Sequence, residues 1–218
     1  MLRRLARAAL SFAILPSATL LLSAFPALAG GLPPMKAEYA ATQTLSVNGA
    51  DFRMSLNHAK GRERRELSLE GTRSVLILRP DRQEAFVLQP EAKVAMPIGL
   101  GDPEVGPDLS TLHKLDAVPQ GKEKVGGLDT VKYRVSGVYE EGGGFEGTVW
   151  ATDDGIYAKV DGTATDGGEP VMVRLELADV TRGRQDPALF ELPAGTAMMD
   201  FDPMGGRVPE VLAKPGQP

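Results

Sequence analysis

The chain contains no cysteine, a single tryptophan and few aromatic residues. Without cysteine there is no disulfide, no thiol chemistry and no lipid-bearing cysteine of a bacterial lipoprotein, so stability must come from packing. Histidine is almost as scarce, with His58 and His113 the only two. Basic charge is also in deficit. Arg3, Arg4 and Arg7 lie in an N-terminal segment expected to be removed, which leaves 21 of the 24 Lys+Arg against 29 Asp+Glu, a formal net charge of −8. A chain this acidic has no bulk attraction for nucleic acid, and no basic tail supplies one.

What is present at the start is an address. Three arginines with no acid nearby precede an apolar run from Ala8 to Phe25, and Ala27-Leu28-Ala29 puts small residues where a signal peptidase reads. The pattern predicts a secretory signal over 1–29, cut between Ala29 and Gly30. Pro16 interrupts the run and no stop-transfer pattern follows, so no stable membrane anchor is expected after cleavage. The expected product is a periplasmic protein of about 190 residues, enough for one domain with a core. That domain is placed at 30–200, followed by a Pro/Gly-rich tail at 201–218 expected to be flexible.

Glycine and proline punctuate the rest at short intervals, and the runs between them alternate with period two. Asn48-Gly49 joins Tyr39–Val47 to Phe52–His58, supplying the positive φ angles of a tight hairpin turn. Lys60-Gly61 and Glu70-Gly71 bracket Arg62–Leu69, Arg73–Arg79 follows, and Glu84–Gln89 pairs with Lys93–Ile98 across Pro90-Glu91. In the middle, Asp108 precedes Leu109, Leu112 and Leu115 at helical spacing, which predicts a short capped helix over Asp108–Leu115. Strands resume at Gly121: Lys122–Val125, Thr130–Tyr139, Phe145–Ala151, Ile156–Thr165 and Val171–Val180. The fold class is mainly β. About eleven strands make one antiparallel sheet, and a sheet that wide curls. An open half-barrel with a short covering helix is expected.

The order of these elements resembles the periplasmic outer-membrane lipoprotein carrier superfamily, including its uncharacterised exported relatives. Gly61-Arg62-Glu63-Arg64-Arg65-Glu66-Leu67 is similar to the basic strand of that family, and Arg79 to Pro90 to its turn, apolar strand and proline. Gly121 to Leu128, Tyr133-Arg134-Val135, Trp150 and Phe190-Glu191-Leu192-Pro193-Ala194-Gly195 match the second half of such domains. Glu66 stands where carriers have an aromatic residue after the arginine, and Phe86 and Leu88 stand where further aromatics would be. The resemblance implies a concave face that shelters acyl chains.

Candidate residues follow from strand parity. Arg62 and Arg64 share one face of their strand and read as a solvated face paired with nearby acids. Arg65 shares the other face with Leu67 and Leu69. Either its stem snorkels along a rim or its guanidinium holds a carboxylate, phosphate or carbonyl head group at a cavity mouth. Phe52, Leu56, Leu67, Leu69, Phe86 and Leu88 are the expected apolar wall. Met54, Met96 and Met172 read as core filling, Trp150 as a core anchor and His58 as a packed strand residue. Asp108, Ser110 and His113 mimic a catalytic set, but Asp108 has a capping role and no nucleophile elbow exists. Asp153-Asp154-Gly155 is a turn before it is a metal loop. No catalytic residue, metal or cofactor is assigned.

The expected function is a non-catalytic carrier of a lipid or acylated ligand, with the segment Asp108–Leu115 moving to release it. The alternative is a sensor or assembly module of the same fold, filled by its own side chains, that binds an envelope protein partner. An open apolar groove favours the first, and a filled interior with an apolar outer patch favours the second.

Overall fold

A computed structural model describes residues 31–69, 71–100, 109, 112–139, 142–165 and 168–199. The expected signal segment, Asp108, Ser110 and the tail at 201–218 lie outside the described residues, as do the side chains of Leu69 and His113.

Turn chemistry and alternation convert the sequence into strands much as expected. Strands β1 (Glu38–Val47) and β2 (Ala50–Ala59) meet at Asn48 and Gly49, whose φ angles of 48° and 86° are the left-handed pair a two-residue hairpin needs. Lys60 and Gly61, at 54° and 80°, repeat the device before β3 (Arg62–Leu69). The first meander continues through β4 (Thr72–Arg79), β5 (Glu84–Gln89) and β6 (Val94–Ile98). A second contains β7 (His113–Val125), β8 (Leu128–Val138), β9 (Gly144–Ala151), β10 (Tyr157–Thr165) and β11 (Val171–Arg182). A two-residue strand, β12 (Ala197–Met198), ends the order.

All twelve strands belong to one sheet, ordered β12-β6-β5-β4-β3-β2-β1-β11-β10-β9-β8-β7. The order is linear and does not close, so the sheet is an open half-barrel. The seam between the meanders is β1 against β11, with Gln43 opposite Leu177 and Leu45 opposite Leu175. Every pairing is antiparallel except that of β12 with β6, which is parallel.

The middle of the chain departs from expectation. Among the described residues there is no α-helix, and the expected covering helix over Asp108–Leu115 gives way at His113 to strand β7. Of the described residues in this stretch only His113 pairs with β8, opposite Val138, and pairing resumes at Asp116 opposite Ser136. The spacing of Leu109, Leu112 and Leu115 reflects packing instead: all three join the core around Val135, Phe145 and Val149. Pro119 is tolerated within β7 because that strand is the sheet edge, where a missing N–H costs no ladder bond.

Strand register sorts the side chains onto two faces. The concave face carries Tyr39, Ala41, Gln43 and Leu45 from β1, Met54, Leu56 and His58 from β2, and Leu175 and Leu177 from β11. Gly147 and Gly162 face each other across β9 and β10, and the Phe145 ring lies over the pair in the space their missing side chains leave. On the convex face, β1, β10 and β11 are polar, with Arg174 paired to Asp161 at 3.0 Å. Met172 lies on this outer side and is exposed rather than core-filling, whereas Met54 is buried.

Over β3 to β6 the convex face is covered by residues 187–192. Asp186 caps a 3-10 turn at Pro187–Phe190 by accepting from the Ala188 amide. Phe190 is buried, and Leu192 packs on Val75, Ile77, Leu88 and Ala95. Arg79, 3% exposed, donates to the Phe190 carbonyl, Asp81 and Glu191. Arg62 and Arg64 therefore do not form a solvated face. Arg62 lies over the Phe190 ring at 4.9 Å, and Arg64 donates to the Leu189 carbonyl and to Glu66.

Candidate functional site

The concave face encloses a cavity of ≈ 360 Å³ beside the seam of the two meanders. Its walls come from Tyr39 and Gln43 on β1, Leu56 on β2, Leu78 on β4, Tyr157 and Val160 on β10, and Leu175 and Leu177 on β11. Glu63 and Arg65 enter from β3, and Pro34, Met35 and Leu109 close over the space. Alternation explains the composition: each strand turns every second residue inward, so the central strands deliver a mostly aliphatic lining.

The polar centre of the lining is an ion pair built within one strand. Arg65 donates through Nε at 2.8 Å and through Nη2 at 2.6 Å to the same oxygen, Glu63 Oε2. The side chains are 12% and 17% exposed, so solvent screens them little. Burial alone would raise the Glu63 carboxyl. The Arg65 charge, the neighbouring His58 and the hydrogen bond from Arg65 outweigh it and hold the group below its ordinary value. Glu63 is thus a carboxylate at neutral pH. Tyr39 is affected oppositely, since burial foremost and then the Glu63 charge push its hydroxyl above its ordinary value. It stays a neutral phenol.

Behind this pair the Tyr39 and His58 rings stack at 5.0 Å. His58 Nδ1 lies 2.9 Å from the Ala37 carbonyl, so Nδ1 carries the proton and donates. Two buried nitrogens, Gln43 Nε2 and His58 Nε2, have no hydrogen-bond partner among the described residues.

The closing residues follow directly on the expected cleavage point. The Lys36 and Ala37 amides both donate to the Asp154 carbonyl, at 3.1 and 3.0 Å, and the Tyr157 hydroxyl donates to the Pro33 carbonyl at 3.2 Å. Gly155, at a φ of 84°, lets the Pro34 backbone pass so close that a Cβ there would collide with it. Asp154 is fixed in turn by Arg182, at 2.8 Å. That hydrogen bond, offset in part by burial, holds its carboxyl down at about 2. The Asp153-Asp154-Gly155 turn therefore braces the wall of the cavity.

The sequence-derived candidates fall into three groups. Arg65 and Leu56 line the cavity, and the open choice for Arg65 resolves inward, onto Glu63. Phe52 and Leu67 share the concave face but pack with Leu45, Met54 and Val173 in a neighbouring cluster, outside the cavity lining. Leu69 ends β3 opposite Thr72, at the far end of the same strand. Phe86 and Leu88 lie on the opposite face. Their register partners are Ile77 and Val75, which alternate with the inward Leu76 and Leu78, and Leu88 sits beneath Leu192. The physical reason is that β4 runs Val75-Leu76-Ile77-Leu78, apolar on both sides, which conceals which face is inward.

Residues that sequence reasoning passed over complete the lining: Gln43, Glu63, Tyr39, Tyr157, Val160 and the inward pair Leu175 and Leu177. A signal for two of them is present. Gln43 interrupts the apolar series Tyr39, Ala41, Leu45 at its own parity, and Glu63 stands two residues before Arg65, on the same face.

No protein-family model matches the sequence, and no curated protein matches it. Solved structures align with the chain at low identity. An uncharacterised conserved protein from Thermus thermophilus aligns at 10% identity and a TM-score of 0.48, covering 77% of this chain and 93% of that one. The MucB of the Pseudomonas aeruginosa MucA/MucB complex aligns at 18% identity and a TM-score of 0.42 over 74% of this chain. This chain spans little more than half of it, 57%. A putative outer membrane lipoprotein-sorting protein domain from Vibrio parahaemolyticus aligns at 11% identity and a TM-score of 0.30, covering 72% and 91%.

Proposed function

We propose that this chain is an exported binding protein that shelters the alkyl part of a lipid-like or acylated ligand in its concave cavity, without covalent chemistry. The observation that carries this reading is the ≈ 360 Å³ space lined by Leu56, Leu78, Val160, Leu175 and Leu177 around one ion pair. Its size is at the low end for small-molecule sites, roughly 300–1,000 Å³, which suits one alkyl chain rather than several. Binding would be reversible burial, worth about 0.8 kcal/mol per CH₂. The Glu63 carboxylate is committed to Arg65, which supports a binding role over turnover. Release would run through the segment Pro33–Ala37, where the Lys36 and Ala37 amides converge on the Asp154 carbonyl. Export rests on the signal pattern at 1–29. Among the described residues no helix is long and apolar enough to cross a membrane.

The test is native mass spectrometry of the mature chain, Gly30 onward, purified from a periplasm, with extraction of whatever is bound. A co-purifying acylated molecule, lost when Leu175→Trp fills the space in a folded variant, is the expected result. A clean mass with no uptake on titration would overturn the carrier and favour the module that binds an envelope protein partner.

A further inference from the structure

The cavity lining is selective in its polar groups as well as apolar in bulk. Taking the cavity as the ligand site proposed above, we infer that it selects a neutral acyl group, an ester or amide whose carbonyl oxygen accepts from Gln43, over a free fatty-acid carboxylate.

Gln43 is the first observation. Its side chain is 1% exposed and lines the cavity, yet Nε2 has no partner among the described residues. A buried amide donor without an acceptor is unfavourable, and native proteins rarely leave one unless water or a ligand completes it. Its place in the strand makes it a specific feature of the wall. On β1 it lies between the inward Ala41 and Leu45, opposite Leu177 on one neighbouring strand and Met54 on the other. The apolar wall thus presents a single amide donor beside the space an alkyl chain would occupy.

Charge is the second, independent observation. Glu63 and Arg65 are the only charged residues among the described lining, and they cancel. Arg65 donates twice to Glu63 Oε2, so the cation already has a carboxylate. A fatty-acid anion entering here would set a second carboxylate beside Glu63, and no second cation in the described lining answers it. Burying an uncompensated charge is far costlier than burying a carbonyl. An ester or amide carbonyl offers the acceptor that Gln43 lacks and brings no charge. Specificity therefore comes as much from the built-in carboxylate that repels the acid as from the amide that donates to the ester.

Calorimetric titration of the mature chain with methyl octanoate and with octanoate, at about pH 8 where the acid is ionised, tests this directly. The expected result is methyl octanoate binding at least about tenfold more tightly than octanoate. Gln43→Met keeps the length of the side chain and removes the donor. It should weaken the ester by about fivefold to tenfold, the size of one hydrogen bond. Octanoate binding as tightly as the ester to the unaltered chain would overturn the inference while leaving the cavity a ligand site. That comparison holds even if the variant does not fold. A folded Gln43→Met with undiminished ester affinity would also overturn it. Uptake of neither probe would remove the carrier reading itself.

Discussion

Glu63 and Arg65 set the chemistry of the interior, because both side chains are largely shielded from solvent and Arg65 is the cation that holds the Glu63 carboxylate. Removing Arg65 leaves the Glu63 carboxylate without its cation under an apolar wall. Arg65→Met should therefore cost about 3–5 kcal/mol of stability, read by urea denaturation. Glu63→Gln with Arg65→Met should recover most of that loss, because the penalty lies in the orphaned charge rather than in the missing attraction. A single variant as stable as the parent would show that solvent reaches the pair. Asp154 works at the same scale from outside. Its carboxyl, held at about 2 chiefly by the hydrogen bond from Arg182, is depressed below its unfolded value of about 3.9. Its contribution is therefore complete above that unfolded value and is lost as pH falls through the folded one. Asp154→Asn should lower stability at neutral pH and converge on the parent near pH 2, about where the group titrates. Parallel curves across that window would refute the assignment.

At the scale of elements, the C-terminal segment explains why the first meander tolerates so much charge on its outer side. Arg62, Arg64 and Arg79 find carbonyls, a ring and the Glu191 carboxylate in residues 183–192, and Phe190 and Leu192 supply the apolar cover. Phe190→Ala should cost about 3–5 kcal/mol, the usual range for emptying a buried aromatic site. A loss below about 1 kcal/mol, within the range of surface substitutions, would mean that the segment is not docked in solution. The strands themselves were legible from residue patterns. Asn48-Gly49 and Lys60-Gly61 announced their hairpins, and Val171, Val173, Leu175 and Leu177 announced β11. The start of β7 was hidden because Leu109, Leu112 and Leu115 fit a helical stripe as well as they fit packing against Val135 and Phe145.

At the scale of the whole molecule, the two meanders are joined along β1 and β11, residues far apart in the chain. Neither meander has its full set of neighbours without the other. Unfolding should therefore be one transition. Trp150, the single tryptophan, sits in β9 with its indole N–H on Glu123 at 2.8 Å and Lys132 and Lys159 each 5.1 Å from the ring. Its fluorescence reports the second meander alone, whereas far-ultraviolet circular dichroism reports both. The two midpoints in urea should coincide, and a separation would show that the halves fold independently.

The amino-acid sequence determined the strand segments, the turns between them and the mainly β class. These are local properties, carried by period-two alternation and by residues that accept positive φ. The tertiary structure decided which faces of separate strands coincide, and so placed Phe86 and Leu88 outside and Gln43 and Glu63 within. Alternation fixes parity along one strand but not between strands, and in β4 both parities are apolar because both faces are buried. The closing contacts of Pro33–Ala37 with Asp154, and of Phe190 with Arg62 and Arg79, join residues more than a hundred positions apart. No local pattern encodes such a meeting. It follows from the sheet curling until residues 33–37 and 187–192 lie over its two faces.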